Sequence, residues 1–280
     1  MMSGVLVYFA MLFATLTALP FLRVKAKGVA SMAAAGVGAL ISGFLAVQAM
    51  QGNETELLLP GTPVTGEIPV RIDALSGWFI LLINFTMITG GLYGLQYMKA
   101  YREQKANLTL HGMAFLLVQC MLMVICSVQN AIVFLFAWEI MAVSAFLLVI
   151  FEHQKPETLK AGINYLIQSH VSIVLLSLGF IWVAYRTGSY DFKAIAAFSE
   201  SFPALTNLVL LGCFFAGFGL KAGFVPFHTW LPHAHPAAPS HVSGIMSGVL
   251  IKIGIYGILR MILLIKTDYV TAGTLSCLRR

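Results

Sequence analysis

The chain is divided almost end to end into apolar stretches long enough to cross a bilayer, joined by short polar turns. Lipid offers no hydrogen-bond partner to the backbone, so a spanning segment must satisfy every N–H and C=O within itself. About 20 apolar residues in a helix do this. Runs near 4–22, 28–50, 75–98, 110–128, 130–151, 161–185, 205–229 and 241–265 meet the requirement. Only 10% of the residues are charged, against roughly 25% in soluble domains. The bilayer must therefore act as solvent. About eight spans fill the chain and leave little room for a soluble domain. The predicted fold class is an all-α polytopic membrane protein. The first span lacks a positive leading region and a small-residue cleavage site, so it reads as a retained helix.

The loops set the orientation. Arg23, Lys25, Lys27, Lys99, Arg102, Lys105, Lys155 and Lys160 place eight basic residues in the loops after spans 1, 3 and 5. The opposite side carries 51–74, with Arg71 as its only basic residue beside Glu54, Glu56, Glu67 and Asp73, and the 186–204 loop with Arg186 and Lys193. The positive-inside rule puts the basic loops in the cytoplasm and the N-terminus outside. The net charge of +6 is thus a topology feature and not a sign of nucleic-acid binding. Segment 51–74, rich in Gly, Pro and Thr, predicts a surface loop or short hairpin. Segment 187–203 predicts a short amphipathic helix lying along the surface. The tail 271–280 does not read as a further helix. Cys120, Cys126, Cys213 and Cys277 show no metal-ligand spacing, and three of them sit in apolar runs as small hydrophobes.

Charges inside the spans carry the chemistry. Glu139 lies mid-span in AIVFLFAWEIMAVSAFLLVIF, where an acid costs about 2.5–3.5 kcal/mol on insertion scales. A partner charge, water or protonation must offset that cost. Lys221 lies in CFFAGFGLKAGFVPFHTWLP, flanked by Gly217, Gly219 and Gly223 and followed by Pro226, which predicts an interrupted helix. A lysine at such a break is placed to line a hydrated cavity, with snorkelling to the surface as the competing reading. Lys252 sits centrally in VSGIMSGVLIKIGIYGILRMILL. His228, His233, His235 and His241 bracket the turn before the last span, and His170 lies in span 6. Histidine titrates near neutral pH and can relay protons, although each of these could equally be a capping or satisfied core residue. No zinc spacing, Walker motif or nucleophile elbow is present. Glu139, Lys221, Lys252, His228, His170 and His233 form the candidate proton pathway, with no metal or cofactor ligands assigned.

The runs FAWEIMAVSAF and GFGLKAGFVPFHTWLPHAHPAAPSHVSGIMSGVLIKIGIYGILR, with RIDALSGWF at 71–79, resemble the proton-translocating, antiporter-like membrane subunits. That superfamily includes the large membrane subunits of respiratory complex I, the Mrp cation/proton antiporters and the group 4 [NiFe]-hydrogenases. The stretch HPAAPSHVSG is most similar to the hydrogenase-4 and formate-hydrogenlyase type. The resemblance implies one five-helix antiporter-like unit at 110–266, preceded by three helices and an external loop at 1–109 and followed by a tail at 267–280. It implies that Glu139 modulates Lys221 on a broken span 7 and that Lys252 passes protons onward. It also implies redox chemistry in partner subunits, no cofactor in this chain, and a cell inner membrane location in a bacterium or archaeon.

Family members usually carry a second inverted unit with another buried charge, and this sequence ends after span 8. The expectation is a truncated or frameshifted product, or a remainder supplied by a separate chain. Expected partners are other membrane subunits, a peripheral redox arm, the lipid bilayer and protons. The rival readings are an Mrp-type Na+/H+ antiporter component and a non-pumping scaffold.

Overall fold

The computed structural model describes residues 2–266, so the reading of the tail falls outside the described residues. Among the described residues, seven helices are long and apolar enough to cross a membrane. The expected eighth, α1 (Met2–Ala18), is apolar but shorter, and it continues into a 3-10 turn at Leu19–Phe21. The remaining long helices are α2 (Val24–Met50), α3 (Ala74–Tyr97), α4 (Lys105–Ser127), α5 (Ala131–Val149) and α6 (Pro156–Thr187). They are followed by α7 (Phe192–Ser201), α8 (Ala204–Ala222), α9 (Leu231–Ala237), α10 (Ser240–Ile245) and α11 (Ile251–Leu264). A π turn at Met246–Leu250 joins α10 to α11, so the two form one continuous span.

Local chemistry sets the helix ends. The Asp73 carboxylate accepts from the amide of Ser76 and caps α3. Asn130 accepts from the amides of Ile132 and Val133 and caps α5. Each satisfies donors that the first helical turn leaves free. Pro156 opens α6, where its missing N–H costs nothing. Gly188 closes α6 in the left-handed conformation.

The segment expected as a loop or hairpin is an antiparallel hairpin, β1 (Thr55–Leu59) paired with β2 (Ile68–Ile72). Its backbone is tied to the neighbouring connection, with the Gln129 amide donating to Pro69 O and the Asn130 side chain donating to Thr65 O. The amphipathic surface helix expected in 187–203 is α7, capped by Asp191, with Phe192, Ile195 and Phe198 buried on one face.

Small residues bring the helices together. A Cβ on Gly254 would stand 2.6 Å from the backbone of Phe218 and Ala222, so only glycine lets α11 lie this close to α8. Phe134, Trp138, Phe214 and Phe218 fill the space between α5 and α8 with stacked and edge-on rings.

On the hairpin side, α3, α4 and α11 are locked by a buried polar network. Arg260 donates to both Asp73 oxygens at 2.5 and 2.8 Å and to Ser76 Oγ at 2.8 Å. Ser76 Oγ and the Tyr256 hydroxyl both donate to Cys126 O. Burial pushes the Asp73 carboxyl up, but the Arg260 guanidinium and the Ser76 amide outweigh it and hold the group at about 2. Replacing Asp73 with Asn should strand the Arg260 charge and cost roughly 3 kcal/mol of stability. Because the folded value lies below the ordinary 3.8, the contribution is complete above about pH 4 and is lost as pH falls through about 2. Thermal unfolding of the detergent-solubilised protein at pH 7, 4 and 2.5 should show the wild-type and D73N midpoints converging only at the lowest pH.

Candidate functional site

Lys221 occupies the last turn of α8, and the helix stops two residues later at Gly223, which has φ +67°. The expected span to residue 229 therefore ends early. The chain turns through Phe224–Trp230 into α9, so His228 does not continue the Lys221 face as an unbroken helix would have required. The carbonyls released by the break are taken up locally. Gly219 O accepts from the Phe224 amide, and Leu220 O accepts from the Trp230 indole at 2.9 Å. Irregular backbone at membrane depth needs this kind of internal satisfaction.

The Lys221 side chain is only 1% exposed. Its Nζ donates to the Tyr165 hydroxyl at 2.6 Å and to Ser169 Oγ at 3.4 Å. Nζ stands 4.5 Å from the Tyr165 ring centre, on the hydroxyl side of the ring. Tyr165 in turn packs edge-on against Trp230. Among the described residues, no carboxylate lies within ion-pair distance of Lys221.

One residue beyond Ser169, His170 bonds to Glu139 with Nε2 3.0 Å from Oε1. Its other nitrogen, Nδ1, lies 2.9 Å from Leu166 O. A carbonyl can only accept, so Nδ1 carries a hydrogen. The Nε2–Oε1 contact then holds one further proton, on the imidazole or on the carboxyl. The pair is thus a two-position proton site. Glu139 Oε2 is buried without a partner. Consecutive residues of α6 therefore link the two centres, with His170 on Glu139 and Ser169 on Lys221.

The other sequence candidates lie apart from this group. Lys252 sits just past the π turn and donates to Ser247 O at 2.5 Å. The π turn moves the Ile251 amide onto Met246 O, five residues back. Lys252 is two residues from Gly254, the point of closest approach to α8, and so points roughly 200° away from it around the helix. His228 is half-buried with Nδ1 unpartnered, and His233 is exposed on α9. Among the described residues, no hydrogen bond joins either histidine to Glu139, Lys221 or Lys252.

Sequence reasoning did not single out Tyr165 and Ser169. Their spacing of four, on one face of span 6 beside an intramembrane histidine, is the signal that would have found them. It also missed His111, whose Nε2 lies 2.8 Å from that of His241.

A buried lysine on a broken helix, held by hydroxyls near a glutamate–histidine pair, sets ionisable groups inside the spans of a polytopic membrane protein of the antiporter-like class. Residues 129–277 match the family described as NADH:quinone oxidoreductase/Mrp antiporter, transmembrane, and the chain belongs to that family. It is 39% identical over 202 residues to hydrogenase-4 component B of Escherichia coli K12, a match covering 70% of this chain and 28% of that protein. It is 29% identical over 197 residues to NADH-quinone oxidoreductase subunit M of Rickettsia bellii, covering 70% of this chain and 38% of that one. The chain thus spans about a third of the length of these relatives. Its fold superposes with TM-score 0.82 on a chain of the membrane-bound sulfane sulfur reductase, an archaeal respiratory membrane complex. That superposition covers 97% of this chain and 55% of the other at 20% identity. The resemblance read from the sequence is therefore correct.

Replacing Trp230 with Phe should remove the indole donor to Leu220 O, leaving it only the longer bond from the Gly223 amide at 3.3 Å, while the packing on Tyr165 persists. The expected cost is about 1–3 kcal/mol, read as a lowered thermal midpoint of the purified protein.

Proposed function

We propose that this chain moves protons as a membrane subunit of a complex I-like or hydrogenase-4-type complex. The redox reactions would run in partner subunits, so no redox cofactor is assigned to this chain. The observation that carries the reading is the pair of adjacent groups, Glu139–His170 and Ser169–Lys221–Tyr165, set on consecutive residues of α6. The Glu139–His170 contact holds one mobile proton. A change in its position alters the field at Lys221, which has no carboxylate of its own to fix its charge. Lys221 then gains or loses a proton through the hydroxyls that hold it. Lys252 serves the next stage, with His228 and His233 nearer the cytoplasmic mouth. The N-terminus lies outside by the distribution of loop charge.

The surface around Glu139 supports a membrane partner. Glu139 is 30% and His170 52% exposed by side chain, among the exposed Phe136, Ile140, Ile167 and Val171. A titratable pair facing lipid would be expensive, so another helix is expected to cover this face. The higher identity to the hydrogenase subunit than to subunit M favours the hydrogenase-type assembly over the complex I type.

Inverted membrane vesicles carrying the intact complex test the proposal. Glu139→Gln and Lys221→Ala should each lower the rate of proton uptake by on the order of tenfold or more. Blue-native electrophoresis should show unchanged assembly. Wild-type pumping in either variant would overturn the reading. Loss of the assembled complex in both would favour the scaffold role.

A further inference from the structure

A cavity of about 650 Å³ opens between α2, α3 and the start of α4, on elements that contribute nothing to the Glu139–Lys221 group. Its lining is chemically divided. Lys25, Lys99 and Arg102 are exposed around the mouth, and Lys27 is buried behind them, bonded to Lys105 O and the Thr109 hydroxyl. Among the described residues, none of these four cations has a carboxylate within ion-pair distance. The first turns of α2 and α4 also begin here, and helix starts carry partial positive charge. One helix end, that of α3, offsets part of this.

Beyond the mouth the wall is apolar, formed by Val29, Met32, Leu92, Leu95 and Phe115. Val29 and Leu92 are 64% and 56% exposed, so this wall runs onto the outer surfaces of α2 and α3. Glycines keep the space open. A Cβ on Gly91 would collide with Met32, and one on Gly28 would stand 2.8 Å from Leu95. Two polar atoms inside have no partner, Ser31 Oγ and His241 Nδ1, on side chains only 6% and 3% exposed.

We propose that this cavity binds an anionic phospholipid. The phosphate sits among Lys25, Lys99 and Arg102, with glycerol or headgroup oxygens reaching toward Ser31. One acyl chain lies along Val29, Leu92 and Leu95. Unpaired cations at the mouth of an apolar groove that opens sideways to the bilayer match an amphiphile with a negative head. A free phosphate would satisfy the cations and leave the apolar wall uncovered. A zwitterionic lipid would cover the wall but bring its own cation to the basic mouth.

Native mass spectrometry of the full chain in mild detergent tests this. The probes are phosphatidylglycerol, phosphatidylcholine with the same acyl chains, and glycerol 3-phosphate. Phosphatidylglycerol should be retained at least about tenfold more tightly than phosphatidylcholine, and raising the salt concentration should weaken that preference. The triple variant K25A/K99A/R102A should lose it, with circular dichroism and elution volume unchanged. A control variant, K155A/K160A/K193A, should keep it. Equal retention of the two lipids overturns the proposal. So does a preference that survives the K25A/K99A/R102A change or is lost equally in the control. Displacement of the lipid by glycerol 3-phosphate at matched concentration would show a small-anion site instead. If the triple variant does not fold, the salt series on the unaltered chain decides, and a salt-insensitive preference overturns the assignment.

Discussion

The candidate site of this protein depends on keeping one lysine buried at a place where the helix carrying it ends. Moving an ammonium ion out of water costs several kcal/mol even after the surroundings relax. Lys221 is not compensated by a carboxylate in contact. It is held by the Tyr165 hydroxyl and by Ser169 Oγ. Hydroxyls suit both forms of the amine, since they can donate as well as accept. A salt bridge would have fixed the charged form. In the proposed pathway the protonation state of Lys221 then follows its surroundings, and the Glu139–His170 pair supplies the proton whose position changes.

That arrangement requires a helix break that does not unravel. The left-handed Gly223 turns the chain, and the Trp230 indole returns to Leu220 O. Trp230 also packs on Tyr165, so the residue that seals the break positions the ring that holds the lysine. Gly254 seats α11 against the backbone of Phe218 and Ala222, on the turn that carries Lys221. The last span thereby supports the site through packing alone. Its own charge, Lys252, faces elsewhere.

The two sides of the molecule are built on different principles. The hairpin side is rigid and paired, with Arg260 and Asp73 in mutual contact and the hairpin hydrogen bonded to the connection before α5. On the basic side Lys155 pairs with Glu152, but among the described residues Lys25, Lys27, Lys99 and Arg102, around an open cavity between α2 and α3, have no carboxylate partner. Paired charges join protein elements to one another, and unpaired ones are available to the membrane surface.

Much of this was legible in the sequence. Bilayer physics allows few alternatives to a helix for a 20-residue apolar run, so most of the spans could be read directly, while the turn residues of 51–74 left loop and hairpin open until the structure showed the hairpin. Glu139, Lys221 and the break after it stood out because charges and glycine clusters are costly in an apolar helix. Tyr165 and Ser169 did not stand out, because hydroxyl residues are ordinary in a span. Their role exists only once α6 lies against α8. The same holds for Asp73 with Arg260 and for His111 with His241, which are remote in the chain and meet only through packing. The sequence by itself determined which residues must be buried at a cost. The tertiary structure alone decided what offsets that cost, because partners from different helices are chosen by how the spans pack, and nearly uniform apolar faces do not record that packing.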